Sequence, residues 1–219
     1  MIPLNFPSKS PMLPSFNINL FDIKLDVETT KQLAEVVIAE ETNIINNVKS
    51  SDPNDDQTWL TGKLWSYNFL DFDYPCVKQF NNFILNSYTC YMKEIGVDSS
   101  KPVYIQCWAN ILYNNGRIIT PHNHASAHCD APYEYSYVSG NISIVVENTS
   151  TFFAHPLFKD FVIDIPNVNG ELIMFPSFIT HGSSENKSET PRITIAFDII
   201  TEEVYNMVDN HNFRLLTNR

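Results

Sequence analysis

Residues 103–113 read VYIQCWANILY, and Asn114-Asn115-Gly116 and Arg117-Ile118-Ile119-Thr120 follow at once. β-Branched and aromatic residues dominate the run, and such side chains suit a pleated, half-buried surface. Asn-Asn-Gly supplies residues that tolerate positive φ. The stretch therefore predicts a strand, a hairpin turn and a return strand over 117–120. Runs of the same character recur at 135–146, 161–165, 171–175 and 192–200. Short strands at close spacing, separated by turn residues, build a sandwich or a barrel.

The first hundred residues have a different character. Pro3, Pro7, Pro11 and Pro14 block helix and predict an extended arm laid over the domain. Leu33, Val36, Val37, Ile44, Ile45 and Val48 share one face of a helix over 27–48, which ends in the acidic turn Ser-Ser-Asp-Pro-Asn-Asp-Asp. Residues 64–72 read as a short strand. Asp73-Tyr74-Pro75 then reads as a helix start, with Asp as cap and Pro in the first turn. Val77, Phe80, Ile84, Tyr88, Tyr91 and Ile95 form the stripe of that second helix, and Gly96 closes it. The fold class is α+β: helices first, then a β-sandwich. We expect one domain over 1–219, with arm and helical support in 1–100, the β core in 101–200 and a tail in 201–219. A chain of 219 residues buries enough surface to fold without staples.

The formal net charge is −11, which repels phosphate backbones and anionic headgroups, so no nucleic-acid or membrane partner is expected. No apolar run reaches the length of a membrane span, and the N-terminus lacks the layout of a secretion signal. Cys76, Cys90, Cys107 and Cys129 show no Cys-x-x-Cys spacing and read as free thiols of a reducing compartment. The expected location is cytoplasmic.

Three features carry chemistry. His122 and His124 stand two apart at the end of a predicted strand, so both imidazoles face one side and can converge on one ion. His181 follows the apolar strand Leu172-Ile-Met-Phe175 and a short turn, and Gly182 comes next. Arg192 and Thr194 share one face of a strand whose other face is Ile193, Ile195 and Phe197. A guanidinium directed into a β core needs an anion there, and a planar fork with a hydroxyl beside it suits a carboxylate.

Trp108-Ala-Asn110, Gly116, His122-Asn-His124, Phe175-Pro-Ser177, His181 and Arg192 together resemble the 2-oxoglutarate- and Fe(II)-dependent oxygenases, in particular small bacterial and phage members with a His-x-His motif. The resemblance covers residues 103 to 200, and the N-terminal helices match it less closely. It implies a double-stranded β-helix, or jelly-roll (cupin-like) core, with two N-terminal helices packed on it. It implies His122 and His181 as iron ligands. Arg192, assisted by Thr194, would hold the far carboxylate of 2-oxoglutarate, with Asn110 and Tyr113 lining the pocket. The activity implied is hydroxylation of a small molecule or a peptidyl side chain, with Fe(II) and 2-oxoglutarate as cofactors.

One departure stands out. The usual facial triad carries a carboxylate two residues after the first histidine, and here that position is His124. The third ligand is His124 itself, or Asp130 or Glu134 if the 125–135 loop folds back, and a three-histidine set also suits zinc. Tyr133, Tyr135 and Tyr137 make that loop either a substrate-recognition element or a surface insertion. His128 reads as ligand, outer-shell or surface group, while His155 and His211 read as structural or solvated. Other readings are a three-histidine dioxygenase without 2-oxoglutarate, which would not need Arg192, and a non-catalytic β-sandwich. A His-x-His metal hydrolase fits poorly, because position 126 is Ser where such enzymes carry Asp.

Overall fold

A computed structural model describes residues 1–8, 10–12, 14–49, 60–124, 137–158, 160–207 and 212–218. The pair that organises it joins β3 (Val103–Leu112) to β9 (Arg192–Thr201), antiparallel along both strands, with Leu112 opposite Arg192 and Asn110 opposite Thr194. Around it, β1 (Ile2–Phe6), β2 (Phe16–Lys24), β7 (Glu171–Pro176), β4 (Val138–Val145) and β10 (Arg214–Leu215) complete a seven-stranded sheet in the order β1-β2-β7-β4-β9-β3-β10. A smaller sheet, β6-β5-β8, is built from β5 (Ser150–Ala154), β6 (Val162–Pro166) and β8 (His181–Ser183).

Strand parity divides the large sheet into two faces. Ile105, Cys107, Ala109, Ile111, Ile193, Ile195, Phe197 and Ile199 lie in a core cluster with α1 (Val27–Asn47) and α2 (Pro75–Glu94). On the opposite face, Leu4, Leu20, Ile173 and Phe175 meet Phe153 of the smaller sheet and Ile179 of the turn between β7 and β8. That second core ends at β7. Towards β4, β9 and β3 the same inner face carries Ser139, Asn141, Arg192, Thr194, Asp198, Gln106 and Asn110. The molecule therefore has a dry seam at one end of its sandwich and a polar interior at the other.

The helices form for reasons visible in the chain. Asp26 caps α1 by accepting the Thr29 N–H at 2.8 Å, and Leu33, Val36, Val37 and Ile44 are buried. Pro75 opens α2, but Tyr74 is its N-cap and no side chain caps it. Asp73, expected as the cap, instead pairs with Lys78 at 2.6 Å. Gly96 closes the helix with φ +72°, and Ile95, placed in the stripe by its spacing, is exposed.

Three expectations are corrected. Residues 64–72 are not a strand but two 3₁₀ segments, Leu60–Ser66 and Phe69–Asp71. The Asn68 side chain accepts the Leu70 N–H and donates to the Ile105 and Asn212 carbonyls, local bonds that compete with strand pairing. Residues 117–120 are not a return strand. Both edges of β3 are already taken by β9 and β10, so after Gly116 (φ +79°) the chain crosses to the smaller sheet, where Ile119 exchanges bonds with Ser183. The N-terminal arm does more than lie on the surface. β1 and β2 pair as a hairpin and extend the large sheet beyond β7, and Pro3 sits in the edge strand, where a missing N–H is tolerated.

Candidate metal centre

The crossing of the chain to the smaller sheet is what builds the site. His122 and His181 form an antiparallel bridge, with His122 N–H donating to the His181 carbonyl at 3.0 Å and His181 N–H donating to the His122 carbonyl at 2.8 Å. Residues directly opposite one another project to the same side, and their ring centroids are 4.5 Å apart. His124, two residues on, gives its N–H to the Ser177 carbonyl, and its ring lies 4.8 Å from His122 and 5.1 Å from His181. One nitrogen from each of the three rings falls within 4.8 Å of the others, a set able to hold a metal ion.

The outer nitrogen of every ring is engaged. His122 Nδ1 lies 2.7 Å from the Thr120 carbonyl and His181 Nδ1 lies 3.0 Å from the Ile179 carbonyl. His124 Nδ1 lies 2.6 Å from Asp198 Oδ2. Each of these partners accepts, so each ring carries its proton on Nδ1 and turns the lone pair of Nε2 elsewhere. Burial, and then the neighbouring imidazoles, push His181 well below the ordinary value; burial and His124 lower His122. Burial also pulls His124 down, but attraction to Asp198 and their hydrogen bond more than offset it, and His124 ends raised. Trp108 stacks on His124, and Phe175 and Phe153 flank His181, so the centre has an apolar wall.

Arg192 enters the same interior from β9. It is 4 % exposed, and its Nε is buried without a hydrogen-bond partner among the described residues. Burial alone lowers the guanidinium to about 10. Thr194 stands two residues on, with Asn110 opposite it. Asn110 donates weakly to Thr194 Oγ1 at 3.4 Å and accepts from Thr61 at 2.8 Å. Asn141 Oδ1 and Gln106 Oε1 are further unpartnered acceptors on that face.

The structure thus brings together His122, His124 and His181, and lines Arg192, Thr194 and Asn110 along one inner face. It does not bring Tyr113 to them. Tyr113 falls one residue past β3, on the parity of the helix-facing Ile111. It is 46 % exposed, and its hydroxyl donates to Glu41 of α1. Asp130, Glu134, His128, Tyr133 and Tyr135 lie outside the described residues, as does His211. His155 is structural: its Nδ1 accepts the Leu157 and Phe158 N–H groups amid Phe6, Phe16, Phe158 and Phe161. Sequence reasoning missed Asp198 and Ser139. The signal for Asp198 was an acidic residue in an apolar strand on the parity of Arg192 and Thr194.

Residues 106–198 match the family model described as "Putative 2OG-Fe(II) oxygenase", and these residues contain every element of the site. Over that stretch the chain is similar to the 2-oxoglutarate- and Fe(II)-dependent oxygenases, the family that the His-x-His, His181 and Arg192 pattern resembles. Among solved structures it is similar to a Pseudomonas putida prolyl-4-hydroxylase, with 12 % identity, 84 % of this chain and 89 % of that one covered, and a TM-score of 0.57. It is also similar to an alpha-ketoglutarate-dependent epimerase from nogalamycin biosynthesis, with 12 % identity, 92 % and 93 % covered, and a TM-score of 0.59. A Trichoplax adhaerens prolyl hydroxylase, solved with a hypoxia inducible factor peptide fragment, matches at 9 % identity, 87 % of each chain and a TM-score of 0.59. At such identities the likeness speaks for the fold, and the fold is the double-stranded β-helix. No curated protein sequence matches the chain.

Proposed function

We propose that His122, His124 and His181 hold Fe(II) and that Arg192, with Thr194 and Asn110, anchors the distal carboxylate of 2-oxoglutarate. The reaction is hydroxylation of a small molecule or a peptidyl side chain, carried out in the cytoplasm by the whole chain acting as one unit. The observation that carries this is a buried guanidinium with an unpartnered Nε, on the same inner face as three converging imidazoles. An uncompensated buried charge is costly, so the pocket is complementary to an anion. Both donor sets fit the two groups: neutral imidazole suits Fe(II), and a guanidinium beside a hydroxyl suits a carboxylate.

With both bound, the centre supplies O₂ activation coupled to decarboxylation of 2-oxoglutarate to succinate. The protein orients and shields. The Thr120, Ile179 and Asp198 acceptors fix the three imidazoles. Trp108, Phe153 and Phe175 exclude water from that side of the centre. No helix among the described residues is long and apolar enough to cross a membrane.

The three-imidazole set also favours a second reading, a dioxygenase that uses no 2-oxoglutarate. That reading leaves Arg192 buried without an anion to bind. Conversion of 2-oxoglutarate to succinate by the iron-loaded protein in air separates the two. We expect slow uncoupled turnover that His181→Ala abolishes. No succinate above the iron-only control contradicts the proposal.

A further inference from the structure

Asp198 is 1 % exposed, and its two oxygens are fully engaged: Oδ2 with His124 Nδ1 at 2.6 Å and Oδ1 with the Ser139 hydroxyl at 2.6 Å. No lysine or arginine pairs with it among the described residues. The residues opposite it across the two neighbouring strands are Gln106 and Ser139, both neutral. A carboxylate so placed is expensive to bury. Asparagine has the same shape and could fill both positions without that cost, its oxygen accepting from His124 and its amide donating to a Ser139 hydroxyl whose proton turns to Ser177, so hydrogen bonding alone does not account for an aspartate here.

The metal centre supplies the missing account. Three neutral imidazoles leave a divalent ion with one more positive charge than the usual two-histidine, one-carboxylate set. We propose that Asp198 provides that negative charge from outside the ligand shell. It orients His124 and makes its imidazole a stronger donor, so the carboxylate acts through a ligand rather than as one. Asp198 is thus a positioning residue of the centre, and this inference rests on the metal reading given above.

The arrangement around it is built to hold the charge in place. A hydroxyl carries one proton. Ser139 gives its proton to Asp198 and accepts from Ser177, whose Oγ is 2.8 Å away. The Ser177 carbonyl takes the His124 N–H at 3.0 Å. The turn that follows Phe175-Pro176 therefore fixes the His124 backbone directly and, through Ser139, the carboxylate on its ring. Ser139 and Asp198 are cross-strand partners of β4 and β9, so both stand on interior strands of the large sheet.

The test is anaerobic titration of the metal-free full-length protein with Co(II) and with Fe(II), following the cobalt d–d bands and the potential of the iron couple, with thermal melting as the fold control. Asp198→Asn keeps the shape and the acceptor for His124, turns the bond to Ser139 around, and removes the charge. We expect its metal affinity to fall by about 10- to 100-fold, the usual cost of losing such an outer partner, and its potential to rise. The double variant His124→Asp/Asp198→Asn returns a carboxylate to the ligand position, and we expect it to bind more tightly than Asp198→Asn alone. An Asp198→Asn protein with wild-type affinity and potential overturns the proposal, as does a double variant weaker than the single one. Wild-type protein that binds neither metal overturns the metal centre itself, a separate failure read in the same experiment.

Discussion

Arg192→Met should push stability and cosubstrate binding in opposite directions. Burial lowers the Arg192 guanidinium from its ordinary value to about 10, and at about 1.4 kcal/mol per pKa unit that drop corresponds to a penalty of about 3 kcal/mol in the unliganded fold. Water reaching the pocket reduces this, so removing the charge and filling the space with Met should stabilise the unliganded protein by about 1–3 kcal/mol. For a domain of this size each kcal/mol moves Tm by about 2–4 °C, which makes a rise of several degrees measurable. With 2-oxoglutarate present the sign reverses, because truncating one partner of a buried charge pair costs about 2–5 kcal/mol, or about 30- to several-thousand-fold in Kd. Thermal melting with and without 2-oxoglutarate reads both quantities. Wild-type Tm should rise on addition of the ligand, and the variant should start higher and not respond. A variant that melts lower than wild type and still gains stability from 2-oxoglutarate refutes the reasoning, since Arg192 would then have a partner in the fold and no part in the pocket.

Three further outcomes are expected. Ligating imidazoles must be neutral, and of the three only His124 is raised above 6.5 while His122 and His181 are lowered. As pH falls from about 8 to about 6, metal affinity should therefore weaken with a slope near one proton per ion; Kd measured across that range would contradict this with a slope near three. Gly182→Ala would place a Cβ 2.7 Å from the Ile119 carbonyl and 2.4 Å from Phe152 Cζ, prising β8 from the crossing chain beside the His122–His181 bridge; melting should show a loss of about 1–3 kcal/mol, and metal titration a weaker centre. Tyr113→Phe should leave 2-oxoglutarate affinity unaltered, because the Tyr113 hydroxyl serves Glu41; a loss of affinity by calorimetry would put Tyr113 back in the pocket.

Much of the site was legible because strand parity is a local property. His122 with His124, and Arg192 with Thr194, are i and i+2 pairs, and each pair shares a face in the structure as the spacing requires. Parity also corrects the sequence reading where it had assigned Asn110 and Tyr113 to one pocket, for these residues are three apart. What the sequence hid depended on partners distant along the chain. β5, β8 and β10 are short, and their strand character comes from the edges they join. Residues 117–120 carry a strand pattern, yet β3 had no free edge to receive them. Asp198 meets His124 across 74 positions of chain, and nothing near either residue announces the contact.

The most direct test of the central claim is an anaerobic titration of metal-free protein with Fe(II) and then 2-oxoglutarate, following the visible charge-transfer band of the iron–2-oxoglutarate chelate. The account predicts a band that saturates at one 2-oxoglutarate per iron and is lost in Arg192→Met. Iron binding with no band on addition of 2-oxoglutarate, or a band that survives in Arg192→Met, would contradict it.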